Sequence, residues 1–390
     1  MLARLRALTD RRQRPQIPLP PAITSLFVMA LGRMGSLNAL EQTRASRLWR
    51  DVAGRVPPSA DTLARIATQL DLDEIREVAR HFYSQLKRNK ALKPPPHGLI
   101  ALVLDGHEST ASYRRRCPEC RTRTVHTAQG DREQHYHGYV AASLVGLDFH
   151  HFVDIEEIRS GENEMAAALR LLDRVHAPYS RAYDVVLADA FYLQAPFFQA
   201  VLDLGKDALV VLKQQARDLY TDAMALCEVT LPVTFHRGRT TVRAWDLPGL
   251  TSWPSLGRPV RVVRTEETTR VRRQKTGEVE EVRSEWMWVT TLPTTRAPTR
   301  AVVDLGHSRW DIENRGFNEG VTEDHLDHVY HHEPTAMRVM TLLAMLAMNV
   351  LRAFYRLNLK PALRRRHTLR HIARLVGAEI LAAIPYAASG

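Results

Sequence analysis

The chain has 390 residues, of which 45% are hydrophobic and 25% charged, a balance that fits an ordinary globular protein and excludes a disordered or low-complexity one. Lys and Arg number 54 against 43 Asp and Glu, so the net charge is +11 and the pI about 9.8; this points to a polyanionic partner, most often nucleic acid, although a merely basic protein has the same surplus. Three cysteines (Cys117, Cys120, Cys227) exclude a disulfide scaffold.

The N-terminal stretch has basic residues but no uninterrupted apolar run, so no signal peptide is expected. Residues 1–95 read as helical, with Ser59 or Asp61 as an N-cap, and suit either a DNA-binding head or a plain helical cap. Pro94–Pro96 ends this region as a linker.

The pattern then changes. Gly98–Asp105 is a short apolar run, as in a central strand buried on both faces. Two further strand-like runs, Tyr136–Gly146 and Asp148–Ile158, form a hairpin. Next come a helix over Glu162–Pro178, a strand over Tyr183–Asp189, a helix ending at Gly205 and a strand over Asp207–Lys213. Three antiparallel strands followed by alternating helices and parallel strands is the element order of an RNase H-like core.

From 229 to 297 the composition turns to alternating Thr, Val, Arg and Trp, which reads as a β-rich insertion with a turn at Lys275–Gly277. Its tryptophans (Trp245, Trp253, Trp286, Trp288) suit a small β core better than base stacking. His307–Glu319 reads as one amphipathic helix, with Trp310, Glu313 and Phe317 on a single inward stripe. A Met-rich helix over Thr335–Leu357 follows. It contains the longest apolar stretch, Ala336–Phe354, which Arg338, Asn349 and Arg352 interrupt, so a buried helix in a cytoplasmic protein is expected rather than a membrane span. A basic helix occupies 361–390. The fold class expected is therefore mixed α/β: helices over 1–95, an RNase H-like core split into 96–228 and 298–360, the insertion between its halves, and C-terminal helices.

Asp105 and Asp189 each follow a buried apolar run, a costly place for a carboxylate unless it is paired or binds a cation. Ligands of open α/β sheets collect at the carboxyl ends of strands. If the two strands are neighbours, these carboxylates meet, and Glu313 on a helix across the sheet would complete a site of hard oxygen ligands suited to Mg²⁺ or Mn²⁺. Each Asp alone is also an ordinary cap, and Arg309 with Glu313 an ordinary i,i+4 pair.

The stretches LVLDGHE, DVVLADAFY and SRWDIENRGFNE resemble the DDE transposases of bacterial insertion sequences, specifically the group with a β-rich insertion before the last catalytic residue. The resemblance runs from about Gly98 to Leu357. Around the glutamate that family has Tyr, two residues, Arg, three residues, Glu, six residues, Lys; Arg309 and Glu313 match, while Gly306 and Gly320 stand at the Tyr and Lys positions. The resemblance implies cut-and-paste transposition by two divalent ions held by Asp105, Asp189 and Glu313. Transposon ends and target DNA would be the partners, a homodimer would form in a synaptic complex, and Arg309 would contact a phosphate. An inactive DNA-binding derivative and a structure-specific nuclease with the same core are the rival readings.

Between the first two strands lies an arginine-rich loop, Tyr113–His126. Cys117 and Cys120 form a CxxC that, with His135 and His137, would make a zinc knuckle; otherwise the loop is a DNA-contacting one with reduced thiols. Arg114, Arg115, Arg116, Arg121 and Arg123 are phosphate-contact candidates, as are Arg272, Arg273 and Lys275 on the insertion and Arg315 beside Glu313. The histidines at 325, 328, 331 and 332 read as polar loop residues and phosphate contacts rather than a metal tract.

Overall fold

The computed structural model describes residues 1–213, 218–273 and 277–384; Lys275 and most of the Lys275–Gly277 turn lie outside them. Six helices come first: α1 (Leu2–Arg6), α2 (Leu19–Leu31), α3 (Leu37–Gln42), α4 (Leu48–Ala53), α5 (Ala60–Ala67) and α6 (Leu72–Arg88). Prolines fill the first turn of α2, where their missing N–H is harmless. Asp71 caps α6 by accepting the N–H groups of Asp73 and Glu74. Ser59 does precede α5, but its hydroxyl goes to Thr62 Oγ1 at 2.9 Å and caps no backbone group.

The core then runs β1 (Ala101–Ser112), β2 (Arg121–Thr127), β3 (Gly130–Val145), β4 (His151–Glu157), α7 (Glu164–Tyr179), β5 (Val185–Ala188), α8 (Ala195–Asp203), β6 (Asp207–Val211) and α9 (Asp218–Val229). The insertion supplies β7 (Val233–Arg237), β8 (Thr240–Leu250), β9 (Val260–Arg272) and β10 (Val279–Thr290). After it come α10 (Thr299–Ser308), α11 (Glu319–Asp324), α12 (Pro334–Ala353), α13 (Pro361–Arg366) and α14 (Leu369–Ala382).

Among the described residues the strands form one ten-stranded sheet in the order β2-β3-β1-β5-β6-β10-β9-β8-β7, with β4 also on β3. β5 is parallel to both β1 and β6, and β3 is antiparallel to β1 and β4, the arrangement of an RNase H-like core. The insertion does not stand apart: β10 pairs antiparallel with β6, Trp288 opposite Val211, and so prolongs the core sheet. Trp245 and Trp288 are buried in it.

Alternation along β1 divides the interior. Ala101 and Val103 face a core shared with α2, α5, α6, α10 and α12, whereas Leu102 and Leu104 face α7 and α8. The N-terminal helices therefore share a hydrophobic core with the sheet. The apolar run Pro334–Asn358, long enough by composition to cross a membrane, is mostly buried inside the molecule, where α12 packs on α2, α5, α6 and β4.

Candidate active site

Asp105 does not end its strand, as the apolar run suggested. β1 continues to Ser112 because β3 partners it all the way, Ser112 opposite His135. What ends near Asp105 is its other neighbour: β5 pairs with β1 only from Ala101 to Val103 and stops at Ala188. One side of β1 is thus opened beside Asp105. Asp189 follows directly on β5 and caps a short 3₁₀ turn, its Oδ1 accepting the Phe191 N–H at 2.8 Å.

The expected single helix over His307–Glu319 is three segments. α10 ends at Ser308, Ile312–Asn318 winds as a π-helix, and α11 begins at Glu319. The wider i→i+5 turn breaks the seven-residue stripe, a departure often found at functional sites. Trp310 goes to β10, 5.9 Å from the Trp286 ring, while Phe317 stacks on His107 of β1 at 4.4 Å with 14° between planes. Glu313 is therefore not buried between them, and its side chain is 36% exposed.

Arg309 lies inside the cluster, not out toward solvent. It is 4% exposed, with Nη1 3.3 Å from Asp105 Oδ2 and both Nη atoms 3.1 Å from Glu313 Oε1. Its guanidinium also lies over the Trp310 ring at 4.3 Å.

A fourth carboxylate, Glu164 at the start of α7, was not anticipated. Tyr192 Oη donates to its Oε1 at 2.7 Å. Its carboxyl fills the space where a Cβ on Gly106 would stand, so glycine next to Asp105 lets it reach the strand. Burial raises its pKa, the Tyr192 hydrogen bond opposes this, and Asp189 adds to it. In sequence Glu164 looks like a helix-start residue after the Asn163 cap, and nothing local distinguishes it.

Asp105 registers the sum of these charges. Burial, with the neighbouring Glu313, Asp189 and Glu164, pushes its carboxyl up to about 7 even though Arg309 pulls the other way. One buried guanidinium thus faces several acidic groups at the open side of β1, although among the described residues they do not close into one group at ligand distance. A hard divalent cation would balance their charge, and oxygen donors suit Mg²⁺ or Mn²⁺.

The basic candidates divide. Arg114, Arg115 and Arg116 are exposed beside Cys117. The segment after Cys120 is strand β2, not loop: Arg123 makes a bidentate pair with Glu108 at 2.6 and 2.8 Å, and Arg121 and Arg123 lie over Tyr136. On the β9–β10 hairpin Arg273 pairs with Glu280, and Arg272 donates to the Gly277 carbonyl at 3.1 Å. Arg315 is exposed, 3.5 Å from Asp311. These charges are thus partly spent within the protein.

The cysteine pair gathers a different set from the one expected. Cys117, Cys120, His137 and His332 have ligand atoms all within 4.8 Å of one another, so a Cys₂His₂ cluster able to hold a structural zinc is present. His135 is not part of it; it lies farther along the ribbon, its Nε2 3.5 Å from Glu133. His332 takes its place because the loop before α12 folds back onto the CxxC turn.

A family model described as the transposase DDE domain matches residues 101–350. No curated protein matches the chain.

Proposed function

Since the chain belongs to the transposase DDE domain family across residues 101–350, a membership that implies DNA binding and divalent-metal-assisted DNA cleavage, we propose that it is a cut-and-paste transposase. It hydrolyses phosphodiesters at transposon ends and transfers the freed strands into target DNA. Asp105, Asp189 and Glu313 are the residues that hold two Mg²⁺ or Mn²⁺ ions and form the catalytic set. The observation that carries the reading is that buried Arg309 bridges Asp105 and Glu313 on the side of β1 that β5 leaves open.

When bound, the ions activate the nucleophile and stabilise the leaving oxygen of an in-line displacement. The chain's own groups set the stage. Arg309 holds Asp105 and Glu313 in register across the gap between strand and π-helix. Tyr192 fixes Glu164, which adds negative charge beside Asp189. In the first step the water oxygen bonds to phosphorus as the P–O3′ bond breaks, leaving a 3′-hydroxyl on the element's end. In the second, that hydroxyl attacks a target phosphodiester and displaces its 3′-oxygen. Exposed Arg114–Arg116 and Arg315 contact the phosphate backbone, and two copies of the chain synapse the two ends.

The test is purified protein with Mg²⁺ and DNA carrying the element's inverted ends. Nicking and joining that both vanish in Asp189→Ala are expected. Binding without nicking would mean an inactive DNA-binding derivative, and cleavage without joining a nuclease; either result overturns the proposal.

A further inference from the structure

We infer that Cys117, Cys120, His137 and His332 bind one Zn²⁺ ion, and that this ion staples the chain segment following Glu313 to the β1–β3 ribbon that carries Asp105. Distances are the first ground. The two Sγ atoms are 3.7 Å apart, His137 Nε2 lies 3.3 and 3.2 Å from them, and His332 Nε2 lies 3.5 Å from Cys120 Sγ. Zinc bonds of about 2.3 Å to sulfur and about 2.0–2.1 Å to nitrogen in a tetrahedron put the ligands roughly 3.3–3.8 Å apart. Four of the six ligand pairs thus stand within a few tenths of an ångström of zinc-site separations, and all four atoms lie within 4.8 Å of one another.

The surroundings are the second ground. His137 is 4% exposed and its Nδ1 is 3.0 Å from Glu157 Oε1, while Arg338 holds Glu157 from 3.2 Å. A carboxylate on Nδ1 fixes the ring so that the Nε2 lone pair faces the sulfurs, the usual outer support of a zinc histidine. The Cys117 N–H points to Cys120 Sγ at 3.1 Å, and the Cys120 N–H closes the turn onto the Cys117 carbonyl at 3.1 Å. On binding, both thiols give their protons to solvent and the histidines bind as neutral rings. Two thiolates select zinc over the hard ions that suit the carboxylate cluster, so the two sites take different metals.

The staple follows from chain position. His332 is 212 residues from Cys120 in sequence and sits between α11 and α12. Residues 325–333 have no helix or strand of their own. A metal bond there fixes the exit of the π-helical segment against the ribbon.

The test uses the full chain without an affinity histidine tag and without DNA, so its outcome is independent of the proposed reaction. Elemental analysis should find one zinc per chain, and Co²⁺ in its place should give the thiolate charge-transfer and tetrahedral bands. His332→Ala and Cys117→Ser should lose the metal, His135→Ala should keep it, and Glu157→Gln should weaken binding by about 10–100-fold. Circular dichroism checks that each variant is folded, and His332, on a half-buried loop, is the variant least able to unfold the core. Chelation should speed amide exchange across 325–333 and leave α8 unchanged. A metal-free wild type with no cobalt spectrum, or metal lost in His135→Ala but kept in His332→Ala, overturns the site. Metal bound with unchanged exchange in 325–333 overturns the staple.

Discussion

At the scale of single residues, Asp105 is where burial and charge meet. Burial, with its acidic neighbours, pushes its carboxyl up to about 7 in the folded chain, against about 3.9 when unfolded. The native state therefore keeps a proton that the unfolded chain has lost between those values. Stability from this group is full below about pH 4 and is lost as pH rises through 7. A divalent ion needs the ionised form, so its binding at pH 6 must expel a proton already gone at pH 8. We expect Mg²⁺ or Mn²⁺ affinity to rise about tenfold per pH unit below 7 and to level off above it. Calorimetry in buffers of different ionisation heat should detect one proton released at pH 6; none released would show Asp105 already ionised. Asp105 and Asp189 were legible because an apolar run ending in aspartate is a local signal. The burial of Arg309 was not: an arginine four residues before a glutamate looks the same on a surface helix as inside a charge cluster.

At the scale of elements, Gly306 and Gly320 acquire a reason. A Cβ on Gly306 would stand 2.6 Å from Trp288 Nε1, and one on Gly320 would run into the Leu326 side chain. The indole of β10 and the chain after α11 thus lie against the two glycines that stand at the Tyr and Lys positions of the resembled pattern. Restoring the tyrosine, Gly306→Tyr, should cost at least 1–3 kcal/mol by overpacking, roughly, and lower the melting temperature without restoring anything to the site. Thermal denaturation checks this, and unchanged or raised stability would refute it. The helix–strand sequence of the core was readable from its periodicity, since buried parallel strands and amphipathic helices leave different patterns. The π-helix was not, because one wide turn shifts the phase of the stripe without changing its composition. Nor was β2, whose polar, arginine-rich sequence gains its strand geometry only by pairing with the far half of β3.

At the scale of the whole molecule, the sheet has helices on both faces, and the N-terminal helices contribute to the core on one of them. Leu26, Phe27 and Met29 of α2 belong to the same cluster as Val339, Leu343 and Leu346 of α12. A chain lacking residues 1–95 would expose that apolar face of α12. We expect it to aggregate or lose cooperative unfolding rather than merely lose DNA affinity. A truncated chain that stays monomeric and melts cooperatively would show that the helices form a separable head. Sequence left head and cap open because short amphipathic helices with scattered arginines serve either purpose, and only the partner of their apolar faces decides.

One feature of the sheet bears on how its length can vary. β9 and β10 form a long antiparallel ribbon whose outer half is exposed and joined by Arg270–Glu281 and Arg273–Glu280, while its inner end is fixed by Trp288 opposite Val211. Residues added or removed in matched pairs at the tip keep the side-chain parity of both strands and leave the root in place. The same edit in β1 beyond Asp105 would slide His107 from under Phe317 and carry the CxxC turn away from His332. Length changes in this chain are therefore expected to be tolerated at the ribbon's root-distant end and not along β1.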